Sequence, residues 1–232
     1  MSIYYNASEE TLIHAGHSKS LQVRGKLVSG AFRMLVDACL LDDLKWCTPL
    51  AEALAPKPGE RILDCGPGSS LRALYLAEQF PETQFVAVEI NRRRFAKYSK
   101  QAFLMSLSNY EVLTFESIKK VPFDAGSFDK VAIVLNLHSL VPEDKARNLL
   151  EIRRITRRGG IVVAVDICKP KVSHEDVVLK ITQMLYGSEA IRTHTTGTWP
   201  KFLSDVGFAG VRRLSEHSVW IGRIALVRGR KQ

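Results

Sequence analysis

"ERILDCGPGSS" (residues 60–70) joins a short apolar run, Ile62-Leu63, to an acid, Asp64, then to two glycines, Gly66 and Gly68, and a pair of serines. A carboxylate that closes a buried strand costs a packed core more than it contributes, so Asp64 is read as part of a binding site. The glycines let the backbone turn sharply and let a ligand approach the main chain. A helix opening near Ser69 then offers free amide donors and the positive end of its dipole. The stretch therefore reads as strand, loop and helix in that order.

Working outward, "PKPGE" (56–60) is a turn signal ahead of the strand. Downstream, the short β-rich runs "RILDC", "QFVAVEI", "EVLTF", "DKVAIVL" and "GIVVAVDI" are separated by helical patterns at 69–80, 91–105 and 142–156. Continuous apolar strands alternating with helices indicate a parallel sheet covered on both faces. Further helical patterns stand near 174–186 and 198–206. The chain then ends in two strands, "AGVRRL" and "SVWIGRIALVRGR", too close together for anything but antiparallel pairing. Residues 20–54 carry apolar positions at helical spacing. The expected fold is α/β: a Rossmann-like doubly wound sheet, mostly parallel with a C-terminal antiparallel hairpin, plus an N-terminal helical cap. Residues 1–55 form the cap and 56–232 the binding domain, with no internal repeats.

The 232 residues suffice for one sizeable core. The 46% apolar and 25% charged composition is that of an ordinary globular protein. No signal peptide and no apolar run of bilayer length are visible. Cys39, Cys47, Cys65 and Cys168 lack paired spacing and read as reduced thiols, so a cytoplasmic location is expected, with peripheral membrane contact left open. The net charge of +9 is uneven: "NRRRFAKYSK" (91–100) has five cations and no acid, and residues 201–232 carry seven cations against two acids. A solvated basic surface accounts for this, and nucleic acid is the less favoured partner because aromatic residues are not interleaved with the charges.

In such sheets, ligands lie at the carboxyl ends of the strands. Leu71 occupies the place where a dinucleotide loop needs a small residue, which argues against NAD. Asp64 would repel a pyrophosphate and attract an ammonium group. Glu89 ends the second strand, where an acid accepts both ribose hydroxyls. A cation, a carboxylate and a ribose together describe S-adenosylmethionine. "LDCGPGSS", "VAVEI", "VPFDAGSFDKVAIVLNLHSL", "LLEIRRITRRGGIVVAVD" and "FLSDVGFAGV", taken in order over residues 56–228, resemble the class I S-adenosylmethionine-dependent methyltransferases. Within that class they look closest to the small-molecule branch that includes the ubiquinone/menaquinone C-methyltransferases.

The resemblance implies that Asp64 and the Gly66–Gly68 backbone hold the methionine end, Glu89 holds the ribose and Ile90 packs on the adenine. Ser117 and the Ile118 backbone stand where the family reads the adenine amino group, although the family usually shows Asp there. The end of the fourth strand, "VLNLHSL", brings Asn136 and His138 to the catalytic edge. His138, with an ordinary pKa of about 6.5, is the general-base candidate. A capping histidine is the structural alternative. His174 in a capping sequence, "SHED", and His194 on a nearby loop lie within reach of a pocket.

An amine-directed enzyme of this class would carry an Asn-Pro-Pro-aromatic run where this chain has "NLHS". No metal is expected, because Asp166 has no acidic partner at the end of the fourth strand. No tyrosine is followed four residues on by lysine, as a short-chain reductase requires. Tyr4, Tyr5, Phe32, Met34, Met184, Tyr186 and Trp199 line either a lipophilic pocket or the ordinary core between cap and sheet. The expected activity is methyl transfer to O or C of a small apolar or aromatic molecule. The rivals are an RNA methyltransferase using the basic surface, and a non-catalytic S-adenosylmethionine-binding protein.

Overall fold

A computed structural model describes residues 47–89, 92–114, 120–172, 175–219 and 222–232. In chain order these form α1 (Cys47–Leu54), β1 (Arg61–Cys65), α2 (Ser69–Gln79), β2 (Gln84–Val88), α3 (Arg92–Leu104), β3 (Tyr110–Leu113) and β4 (Phe128–Val134). A 3-10 turn (Leu137–Ser139), α4 (Pro142–Ile155), β5 (Thr156–Ile167), α5 (Asp176–Tyr186), α6 (Ser188–Thr195), α7 (Lys201–Asp205), β6 (Phe208–Val219) and β7 (Gly222–Lys231) follow. The strand order is β3-β2-β1-β4-β5-β7-β6. Strands β1 to β5 pair in parallel, whereas β7 runs antiparallel to both β5 and β6. The order reverses between β1 and β4, so the crevice above their carboxyl ends is the natural ligand site.

Alternate side chains of each central strand feed two cores. Ile62, Phe85, Ala132, Val163 and Val165 pack with Leu50 and Leu54 of α1, Leu76 of α2, Leu179 of α5 and Ile191 of α6. Leu63, Val86, Val131, Ile133 and Val162 pack on the other face with Leu149 and Ile152 of α4 and Leu203 of α7. Burial on both faces explains why these strands read as continuous apolar runs. No helix among the described residues is long and apolar enough to cross a membrane.

Three features differ from the expectations. The hairpin turns later than the residue types suggest: Ser215 to Val219 continue β6, and Val219 pairs with Gly222. Ser215 to His217 lie between the two expected strands, yet Glu216 pairs with Arg213, Lys171 and Arg223, and the Ser218 hydroxyl donates to Glu175 at 2.7 Å. Those partners keep the segment in the ladder. His194, expected on a loop, lies within α6. Met184 is 69% exposed, whereas Trp199 takes the core alternative. The cap lies outside the described residues apart from Cys47 onward, as do Tyr4, Tyr5, Phe32, Met34 and Cys39.

Candidate functional site

β1 ends at Cys65, and the chain turns through Gly66 (φ 120°) and Gly68 (φ 75°) into α2. Both backbone angles favour glycine. A Cβ at Gly66 would stand 2.0 Å from the Val134 carbonyl oxygen, so the loop closes directly onto the end of β4. Gly68 begins α2 without a side-chain hydrogen bond at the cap. That leaves the helix start to serve a ligand.

Glu89, one residue beyond β2, is 3% exposed, and its carboxylate accepts from Ser70 Oγ at 2.7 Å. Ser69 Oγ donates to the Val88 carbonyl at 2.5 Å, tying the loop to β2. Tyr110 Oη donates to the Ser70 carbonyl at 3.0 Å. The two serines thus tie the glycine loop and the start of α2 to Glu89 and the end of β2.

The sequence pairs Asp64 with an incoming ammonium group; the structure pairs it with Arg72. The Arg72 Nε donates to Asp64 Oδ2 at 2.9 Å and Nη2 to Oδ1 at 2.6 Å, a bidentate fork. Nη1 donates to the Pro67 carbonyl at 2.5 Å, so the guanidinium also braces the glycine loop. Both residues are buried. Burial pushes the Asp64 carboxyl up and Arg72 opposes it. Sequence reasoning passed over Arg72, although a lone cation beside Ala73, Leu76 and Ala77 on a core-facing helix is a signal, since a buried charge needs a partner.

The second cluster lies at the adjoining strand ends. Leu135 follows β4 with φ 50°, and its N–H donates to the Val165 carbonyl at 2.8 Å. A left-handed leucine is uncommon and marks a held conformation. Beyond it, Asn136 Oδ1 accepts from Asn148 Nδ2 at 3.4 Å, and His138 is buried on the 3-10 turn. Because Val134 pairs with Val165, the next residue of β5, Asp166, reaches the turn. Asp166 Oδ2 accepts from the Leu137 amide at 2.7 Å and the His138 amide at 3.3 Å. Oδ1 stands 2.7 Å from His138 Nδ1 and accepts from the Ile167 amide at 2.8 Å. Burial alone would raise the Asp166 carboxyl, but the charge and hydrogen bond of His138, with His194 and the Ile167 amide, hold it down at about 2. Asp166 is therefore a carboxylate that orients a histidine, a role the sequence reading did not give it.

Against His138 stand Tyr186 at 6.1 Å and His194 at 6.3 Å between ring centroids, both edge-on. His194 lies within α6, fully buried, its Nδ1 donating to the Ile167 carbonyl at 2.8 Å and its ring stacked on Trp199. Burial lowers it to about 4, so it is neutral at pH 7. This corrects its placement on an accessible loop. Buried Lys145 is also lowered by burial, to about 8, and donates to the Ala190 carbonyl, fastening α4 to α6. Ile90, Ser117, Ile118 and His174 lie outside the described residues.

A sheet of this order, with a glycine loop after β1 and a buried acid after β2, is that of a Rossmann-like nucleotide-binding domain. Residues 63–164 match the family described as "Methyltransferase domain". Demethylmenaquinone methyltransferase of Clavibacter sepedonicus is 31% identical over 139 residues, covering 56% of this chain and 51% of that protein. The chain thus spans about half the length of the curated relative it matches. Among solved structures, the YcgJ protein of Bacillus subtilis superimposes with a TM-score of 0.65 at 14% identity, over 82% of this chain and 99% of the other. A SAM-dependent methyltransferase from Aquifex aeolicus gives 0.58 at 17%, over 82% and 94%.

The described residues fit the cofactor. The start of α2 carries no side-chain cap, and the buried Glu89 sets a carboxylate just beyond β2, tied through Ser70 to that helix start, a donor set compatible with a ribose-bearing ligand.

Proposed function

We propose that this protein methylates an oxygen or an activated ring carbon of a small, apolar or aromatic acceptor, with His138 as the general base. The observation that carries this reading is the His138–Asp166 contact of 2.7 Å beside the glycine loop. Bound there, S-adenosylmethionine supplies a methyl group activated by its sulfonium. Glu89 would hold the ribose, while the Gly66–Gly68 backbone, braced by Arg72 and Asp64, would hold the methionine end. Asn136 borders the same edge.

In the tautomer whose Nδ1 donates to Asp166, the Nε2 lone pair is available and makes no hydrogen bond among the described residues. That nitrogen takes the proton released by the acceptor as the new bond to the methyl carbon forms, and Asp166 stabilises the imidazolium that results. Holding both reactants in line supplies much of the remaining acceleration. Tyr186 flanks His138 with an aromatic face suited to an apolar ring. The Clavibacter relative is named for demethylmenaquinone, an acceptor name in keeping with this choice.

Single-turnover transfer of labelled methyl to fractions of a metabolite extract tests the proposal. Label should enter a low-molecular-weight apolar fraction, and His138→Ala should slow transfer roughly 100-fold while leaving cofactor affinity intact. Label entering RNA instead, or an unaltered rate in the variant, refutes it.

A further inference from the structure

We infer that the outward side of α3 is a docking surface for an anionic lipid bilayer. From Ile90 to Tyr110 the chain holds five cations, Arg92, Arg93, Arg94, Lys97 and Lys100, and no acid. α3 buries only Tyr98 and Ala102, which pack with Leu74 of α2. At about 100° per residue, Arg92, Arg93, Ala96, Lys97, Lys100, Phe103 and Leu104 share the opposite half of the helix. The side chains there are exposed, and Phe103 and Leu104 stand 83% and 70% exposed. Lys100 lies between those two when viewed down the axis, so cations and large apolar groups point the same way.

A merely solvated face does not need two large apolar side chains set out in water. A helix that rests on a bilayer uses both kinds: cations meet lipid phosphates, and apolar tips enter the acyl boundary. Phe103 could stack on an RNA base, but Leu104 has no ring to do so, which favours lipid over nucleic acid. α3 has 13 residues, about 20 Å, too short to cross a bilayer and long enough to lie along one. The inference does not rest on the acceptor: Lys97, Lys100, Phe103 and Leu104, on which it turns, are none of the residues assigned to the site.

Co-sedimentation of the full chain with vesicles tests it, using phosphatidylcholine alone and phosphatidylcholine mixed with phosphatidylglycerol. Binding should require phosphatidylglycerol and weaken as salt rises. Lys97→Gln with Lys100→Gln should weaken it about 25-fold, roughly fivefold per lost charge. Phe103→Ser should weaken vesicle binding while leaving affinity for a single-stranded RNA oligomer unchanged. Calorimetry with S-adenosylhomocysteine should give parental affinity for all variants, showing that they are folded. Equal binding to both vesicles, no binding at low salt, or binding to RNA alone overturns the inference.

Discussion

Asp166→Asn is the most demanding test of the second cluster. The carboxylate accepts from three main-chain amides and from His138 Nδ1 with two oxygens. Asparagine has one acceptor oxygen, so whichever way its amide points, at least one buried N–H faces another donor, at a cost of about 1–3 kcal/mol. The lost charge adds to this. The Asp166 carboxyl sits at about 2 against an ordinary 3.8, worth about 2 kcal/mol at ~1.4 kcal/mol per pH unit. A lowered carboxyl stabilises the fold fully above pH ~4, and that contribution disappears as pH falls towards about 2. Urea unfolding should therefore show the variant about 3–5 kcal/mol less stable at pH 7, with the deficit shrinking between pH ~4 and ~2. Turnover should fall further than stability explains, because an amide donating to Nδ1 would move the imidazole proton to Nε2 and remove the base. A deficit that stays constant over that pH window would refute the account of Asp166.

Other perturbations probe the remaining parts. Glu89→Gln should weaken S-adenosylhomocysteine binding by ~2 kcal/mol in calorimetry, the scale of charge-assisted hydrogen bonds, and unchanged affinity would remove Glu89 from the site. Gly66→Ala forces a Cβ into the Val134 carbonyl, so it should abolish cofactor binding, and a retained thermal shift with S-adenosylhomocysteine would contradict the loop geometry. His194, held neutral at about 4, should make unfolding easier as pH falls below ~6.5, by ~1.4 kcal/mol per unit until about 4. His194→Gln should flatten urea midpoints over that range, and an unchanged slope would count against it.

The parallel sheet was legible because its strands are buried on both faces and interrupted by helices at regular intervals. Asp64, the glycines and Glu89 were legible because each falls at a strand end, where topology brings ligands. What they touch was not. The Arg72 fork joins residues eight apart across a loop, and the Asp166 to His138 contact depends on the register of β4 against β5, which spacing along the chain does not encode. α6 was missed because "SEAIRTHT" is short and polar, while its helical form depends on buried contacts such as that of Lys145 with Ala190. The late hairpin turn rests on ion pairs with Glu175 and Glu216 that only the folded chain supplies.

β7, the farthest strand along this chain, lies between β5 and β6 rather than at the sheet margin. During synthesis, β5 must wait beside β4 with its other flank bare until Gly222 and its successors emerge, roughly 55 residues and several seconds later at ribosomal speed. Its last eight positions, Gly160 to Ile167, are all buried in the finished protein. A nascent chain stalled in that interval would present a sticky, pairing-competent ribbon, so chaperone dependence and inclusion-body formation should follow translation rate through this closing segment.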